Sequence, residues 1–459
     1  MFRETGKNAM SIMKTKKNSR KVLIVSFYFP PYFNPGAIRM GKFAKYLPEC
    51  GWEPRILTVN RSPNTSEVMT LETDQSYIYK TSYFILADLV RNKLISNAVI
   101  DTNSSIRQVD KGKIWNKLVL KSLRIFDPIY ETPIINKLVS DPIGWYPYAL
   151  KKGEEILADE KFDVILSTFN PSLPHLIASQ LKRQTGIPWV ADFRDLWSHN
   201  PLVKKTQPFR FLEERWERMV IKNCDFLTSV SEPLVKDLEA FHTKKAEVVS
   251  NGFDEDDFSD NVSPTLKFTI TYTGQIYDTS IDLTPLFEAL AELKTEGKIS
   301  PDNIDVRFFG RFLINDPGVL SKKYCLEDIV KTYGFIPFKE SIKKQKESTI
   351  LLLLVRNDPS AEGIITSKLF EYMASGKPVL VIGYQCGSLN LLVHESGIGT
   401  VVNKTIEVKE ILVKWINEFE QYHEITSYYA PKPEVIKLYS RKEETKKLAH
   451  IFDDVCSGK

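Results

Sequence analysis

Short, strongly apolar runs separated by amphipathic stretches recur along this chain, and that alternation limits its fold more than any other feature. Val22–Tyr28, Pro54–Val59, Asp163–Thr168, Trp189–Phe193, Phe226–Val230 and Glu247–Ser250 form one series. Phe268–Tyr272, Asp305–Phe309, Ile350–Val355, Pro378–Ile382 and Gly399–Val402 form a second. Most lack the polar alternation of a half-exposed strand, so both faces should be covered, as in a parallel sheet with helices on each side. Two series of this kind predict an α/β protein built from two doubly wound domains, and 459 residues leave room for both. The series divide at Phe253-Asp254-Glu255-Asp256-Asp257, a polar, turn-rich stretch. Residues 21–252 are therefore expected to form the first domain and 253–430 the second.

The two ends have different characters. Residues 1–20 carry Arg3, Lys7, Lys14, Lys16, Lys17 and Arg20 without an apolar core, which reads as a disordered basic tail rather than a signal peptide. In residues 431–459, Ser440 followed by Glu443 fits the opening of a capped helix. Leu448, Ile451, Phe452 and Val455 give that helix an apolar stripe that must dock on something.

Composition excludes several classes. With 62 Lys and Arg against 58 Asp and Glu, the net charge of +4 is too small for a dedicated nucleic-acid binder. The five cysteines form no CxxC pair and the six histidines no HxxxH pair, so reduced thiols and no metal site are expected. No run approaches the roughly 20 apolar residues of a membrane span, and a cytoplasmic protein is expected. Leu86–Ile100 and Lys113–Ile125 mix aliphatic with basic residues at near-helical spacing, as surface helices or as peripheral contacts with a membrane.

Three constellations carry candidate chemistry. The loop Phe29–Ala37 enters a helix at Gly36, where free amides can meet an anion or sugar hydroxyls, although GxGxxG is absent and a simple tight turn reads equally well. Asp192-Phe193-Arg194-Asp195 closes a buried strand, the end at which open α/β sheets bind ligands, and His175 starts the preceding helix. A structural Asp–Arg pair and a core histidine are the competing readings there. The third runs from Glu362 to Pro378: a helix opening near Thr366-Ser367-Lys368 and stopping at Gly376 offers amides and one cation to a diphosphate. Glu371 lies one turn in, placed to accept two ribose hydroxyls or, more plainly, to pair with Lys368. Asp254-Glu255-Asp256 satisfies a DxD pattern but sits in the inter-domain turn, where acidic residues usually face solvent.

At these residues the chain resembles the GT-B glycosyltransferases of the retaining family 4 type. The supporting text is Tyr28-Phe29-Pro30-Pro31 through Gly36, Pro188 to Asp195, Ser250-Asn251-Gly252-Phe253-Asp254, Tyr272-Thr273-Gly274 and Lys368 to Pro378. The resemblance implies two Rossmann-like domains facing a cleft, an acceptor-binding first one and a donor-binding second one, with the closing helix crossing back to the first. It implies transfer of a sugar from a nucleoside-diphosphate sugar to a glycan or lipid-linked acceptor in cell-surface polysaccharide synthesis, with neither metal nor cofactor. Glu371 would hold the donor ribose, and Thr366, Ser367 and Lys368 its diphosphate beside Gly274, with Arg311 adding charge. Gly36, Arg39 and Arg194 would line the acceptor side, where Asp195, Asp192 or His175 would orient the acceptor hydroxyl. The chain departs from the family in two places. Gly363 stands where a first glutamate is common, and Gln275-Ile276-Tyr277-Asp278 lacks the usual Arg and Lys. A GT-B nucleotide-sugar epimerase and a catalytically silent GT-B scaffold are the alternatives.

Overall fold

The computed structural model describes residues 20–61, 71–84, 143–203, 206–276 and 278–458. The expected basic tail, save Arg20, and the segments 86–100 and 113–125 lie outside these residues.

The first sheet contains β1 (Arg20–Val25), β2 (Trp52–Val59), β3 (Ile78–Thr81), β4 (Val164–Phe169), β5 (Trp189–Phe193), β6 (Phe226–Ser229) and β7 (Ala246–Val248). Its order is β3-β2-β1-β4-β5-β6-β7, parallel throughout. The second contains β8 (Phe268–Thr273), β9 (Ile304–Phe309), β10 (Val330–Thr332), β11 (Ile350–Leu354), β12 (Val379–Ile382) and β13 (Gly399–Val402). Its order is β10-β9-β8-β11-β12-β13, again parallel. Alternate residues of each strand feed two cores. Leu23 and Val25 face one side of the first sheet and Val22 and Ile24 the other. Ile350, Leu352 and Leu354 oppose Leu351 and Leu353 in the second. This is the two-faced burial that the apolar runs require. The strand order reverses between β1 and β4 and between β8 and β11, and a ligand crevice lies beyond the strand ends at such points.

Two connections join the sheets and run side by side. Phe253 bridges Ser440 in parallel, its N–H donating to the Tyr439 carbonyl at 3.1 Å and its carbonyl accepting from Arg441 N–H at 2.7 Å. Ser440 Oγ then caps the closing helix Arg441–Ser457 by accepting from Glu443 N–H at 3.2 Å. Leu448, Ala449, Ile451 and Phe452 enter the core beneath the first sheet, with the Phe452 ring edge-on to Trp52 at 5.1 Å. The last helix therefore fastens to the first domain by burial of apolar surface. Truncating Phe452, fully buried there, in Phe452→Ala should lower stability by about 3–5 kcal/mol. Urea unfolding followed by tryptophan fluorescence reads this, and a loss below about 1 kcal/mol would contradict the packing.

Candidate active site

The helix Ser367–Ser375 forms because its apolar positions Leu369, Phe370 and Met373 pack under the second sheet, and Gly376 in the left-handed region (φ 64°) ends it. Thr366 precedes it in extended conformation and its side chain does not cap the helix, so among the described residues no side chain satisfies the opening amides. Two hollows flank this first turn. The larger, about 400 Å³, is lined by Tyr272, Gln275, Arg356, Thr366 and Lys368, with Leu202 reaching in from the first domain. The smaller is lined by Ser367, Glu371 and Arg441 together with Pro35, Ile38 and Phe338. Lys368 and Glu371 thus face different hollows and form no ion pair with each other.

Lys368 lies flat on Gly274. A Cβ at that position would stand 1.9 Å from Lys368 Cε, and φ of 144° already excludes a side chain there. The ammonium sits 5.7 Å from the Tyr272 ring centre and has no hydrogen-bond or ion-pair partner among the described residues. Burial pulls its pKa below the ordinary 10.5, against the attraction of Glu371. Burial pushes Glu371 above its ordinary 4.5, opposed by a hydrogen bond from Gln345 and by the charges of Lys368 and Arg441. Gln345 is the residue that positions Glu371. Fully buried on the helix Phe338–Glu347, its Nε2 donates to Glu371 Oε2 at 3.3 Å and to Thr273 Oγ1 at 3.0 Å. Its Oε1 accepts from Ser375 Oγ at 2.9 Å. Arg441, 3% exposed, shares the smaller hollow, and its Nη1 has no partner. Burial drops its pKa to about 9, with Arg39 adding repulsion. Neither Gln345 nor Arg441 is a sequence candidate, although a glutamine on the apolar stripe of Phe338 and Ile342 is a usable signal.

Several expectations are corrected. His175 is fully buried, its Nδ1 2.7 Å from Ser167 Oγ and its ring 4.7 Å from that of Phe193. Burial lowers its pKa to about 3, so it stays neutral inside an aromatic core and cannot reach an acceptor. Asp192 and Arg39 are equally enclosed. Arg39 Nη2 and Nε donate to the two Asp192 oxygens at 2.7 and 3.1 Å, and Thr168 and Thr228 each donate to them at 2.9 Å. Arg39 also donates to the Ser250 and Val249 carbonyls at 2.7 Å. With every polar atom engaged, this pair holds the fold and touches no substrate. Burial pushes the Asp192 carboxyl up, but the Arg39 charge and hydrogen bonds outweigh it and leave the pKa below 3.8. Arg311 lies over Phe335, outside the lining of the larger hollow, while Arg356 at the end of β11 lines it. Arg356 is steadied by Asp278 at 3.1 Å and Ser280 Oγ at 2.5 Å.

The remaining candidates stay near the first domain's switch point. The Arg194 guanidinium covers Gly36, where a Cβ would come within 3.0 Å of it, and Arg194 Nε donates to the Phe169 carbonyl at 2.9 Å. Asp195 beside it keeps a half-exposed carboxylate. Asp254 faces inward rather than toward solvent: 3% exposed, it accepts from Lys42 at 2.6 Å, Lys45 at 2.7 Å and Tyr46 at 2.6 Å. Although burial alone would raise it, those donors hold its pKa at about 2. Glu72, Asp254 and Asp257 converge within 4.8 Å, but the Lys42 ammonium already sits on all three carboxylates.

Two sheets with facing switch points, and a helix N-terminus between them, define an architecture with known relatives. Residues 120–257 match the model of the family described as Glycosyltransferase Family 4, a stretch that ends where the chain crosses to the second domain. The chain has the GT-B fold, and part of its first domain is similar to the family 4 glycosyltransferases. A glycosyltransferase from Rickettsia africae superposes with TM-score 0.59 at 14% identity, over 96% of this chain and 100% of that one. Sucrose-phosphate synthase from Thermosynechococcus elongatus gives 0.58 at 14%, over 96% and 100%. Anabaena HepE in complex with UDP and glucose gives 0.53 at 14%, over 95% and 99%. A search of curated proteins returns no match. At these identities the likeness concerns the GT-B fold.

The two classes of aspartate should separate under mutation. Asp192→Ala strands a buried guanidinium and should lower stability by about 3–5 kcal/mol, whereas Asp195→Ala should change it by no more than about 0.5 kcal/mol. Equal effects in urea unfolding would overturn the division.

Proposed function

We propose that this GT-B protein moves a sugar from a nucleoside-diphosphate sugar to an acceptor hydroxyl with retention of anomeric configuration, the acceptor being a glycan or lipid-linked precursor of a cell-surface polysaccharide. The observation that carries the reading is the unpaired Lys368 ammonium held against Gly274 beside the uncapped amides of Ser367 and Lys368. Around that turn the two hollows supply two subsites. The Glu371 carboxylate, oriented by Gln345, suits the two hydroxyls of a ribose, and the larger hollow suits the diphosphate and its sugar. HepE, bound to UDP and glucose, supports a donor of this class.

The barrier is departure of the diphosphate from an oxocarbenium-like sugar. As the anomeric C–O bond breaks, its electron pair moves to the phosphate oxygen. Fixed N–H dipoles and an ammonium lower the energy of that charge without reorganising. Lys368 and the helix terminus supply them, with Arg356 within the same hollow. The acceptor oxygen bonds to the anomeric carbon on the face just vacated, and its proton passes to the leaving phosphate oxygen. No protein base is required, which fits the enclosure of His175 and Asp192. The epimerase alternative loses support with His175, its one histidine candidate in the cleft.

Thermal-shift titration with UDP, GDP and ADP tests the site directly, because a ligand of the folded state raises Tm. Lys368→Ala and Glu371→Ala should each weaken nucleotide binding by about 10- to 100-fold; unchanged affinity in Glu371→Ala would remove it from the site. Binding needs Glu371 ionised and Lys368 protonated. The raised Glu371 pKa means that affinity falls, as pH drops, at a higher pH than a free glutamate would give. The lowered Lys368 pKa brings the alkaline loss to a lower pH than a free lysine would give. Nucleotide affinity measured against pH should therefore be bell-shaped with both limbs drawn inward, and Glu371→Gln should abolish the acidic one.

A further inference from the structure

The helix Gln207–Ile221 presents a face that packing among the described residues does not explain. Phe211, Leu212, Trp216 and Met219 are 63%, 52%, 45% and 57% exposed, far above what large apolar side chains on a lone domain surface need. At 3.6 residues per turn they fall, with exposed Arg215, Arg218 and Lys222, within an arc of about 160°. The helix's three acids point elsewhere and are engaged. Glu213 accepts from Trp197 Nε1 at 3.2 Å, Glu214 from Arg210 at 2.9 Å, and Glu217 from the Ser198 N–H at 2.8 Å. The exposed face is thus apolar and cationic only, and none of its three cations is paired with a carboxylate among the described residues. Just before the helix, Leu202 (41%) and Val203 (49%) extend the apolar surface to the cleft, where Leu202 lines the hollow that holds Lys368.

We propose that this face docks the protein on an anionic membrane surface, seating the mouth of the larger hollow at the headgroup level. A phenylalanine, a tryptophan, a leucine and a methionine flanked by arginine and lysine match the composition of helices that lie in a bilayer interface. A protein partner would have to bring its own acids to three separated cations, while a bilayer of acidic lipids meets all of them without register. The inference rests on the sugar-transfer reading only for its consequence: a lipid-linked acceptor would rise into the cleft past Leu202 and Val203 while its tail stays in the membrane.

Flotation of the full chain with vesicles tests this. Vesicles of phosphatidylcholine mixed with phosphatidylglycerol should carry the protein, pure phosphatidylcholine should carry far less, and raised salt should release it. Trp216 emission should shift to the blue on binding. Phe211→Ser combined with Trp216→Ser should reduce the bound fraction at least tenfold, and Arg215→Glu or Lys222→Glu about fivefold each. The Tm shift with free nucleotide should be unchanged in all of these variants, which separates loss of docking from misfolding and from failure of the donor site. Equal binding to both vesicle types, or full binding by the Ser/Ser variant, overturns the proposal. So does a dimer in light scattering that the Ser/Ser variant dissolves while wild type ignores vesicles, because the face would then belong to a second copy.

Discussion

Arg39 ties together parts of the chain more than 200 residues apart, and the geometry of the cleft descends from that tie. Its guanidinium, fully enclosed, spends its donors on Asp192 at the end of β5 and on the carbonyls of Val249 and Ser250, where the chain leaves the first sheet. The Ser250 N–H in turn donates to Glu444 at 2.6 Å, which anchors the start of the closing helix. Three residues earlier that helix presents Arg441 to the hollow of Glu371. Leaving a donor of so deeply buried a charge unpaired is costly, so this network strongly favours one arrangement. The helix Pro35–Tyr46 that carries Arg39, β5, the crossover and the closing helix are located together, and the two lobes meet at a defined hinge.

From this hinge follows the division of labour between burial and chemistry. The charged groups that stabilise the fold are saturated: Arg39 with Asp192, and Lys42 and Lys45 with Asp254. Lys42, Asp254 and Arg356 keep their partners even where they line a hollow, whereas three other groups there are left wanting. Among the described residues Lys368 has no hydrogen-bond or ion-pair partner and Arg441 Nη1 has none, while Glu371 accepts one hydrogen bond from Gln345. Neighbours outweigh desolvation at Asp192, Lys42, Lys45 and Asp254 but not at Lys368, Glu371 and Arg441. Groups kept charged against their surroundings are poised to gain from a ligand that brings the missing charge, which is the physical content of calling the region a site.

How much of this was legible in the sequence depends on what each element buries. The central strands announce themselves because both their faces are apolar. The edge strands β3 and β10 escape notice, since they are four and three residues long and half exposed: Lys80 and Thr332 read as loop. The helix from Ser367 to Gly376 is readable from its Gly stop and apolar stripe, and so is the docking of Leu448 to Phe452. The chemistry at β5 is not. Asp192 and Asp195 are three residues apart, yet Asp192 lies within β5 and enters the core, while Asp195 follows the end of that strand and stays at the rim. His175 enters an aromatic core built from Phe169, Trp189, Phe193 and Trp197, residues that the chain brings together from different elements. Gln345 acts through a contact with Glu371, 26 residues away, which no local pattern encodes.

Gly363 carries the last consequence of this arrangement. The resemblance places a glutamate there, yet Gly363 is buried against the other lobe rather than in the lining of either hollow. Its carbonyl accepts from Ser231 Oγ at 2.6 Å, and a Cβ would stand 3.1 Å from Leu234 Cδ2. A larger residue would press on the helix Glu232–His242 and push the lobes apart at the edge of the cleft. The missing carboxylate is therefore part of how the domains close, and its absence does not leave a gap where a sugar would sit. On the sugar-transfer proposal, polar groups facing that sugar would come instead from what lines the larger hollow, such as Gln275 and Thr366 on the second domain.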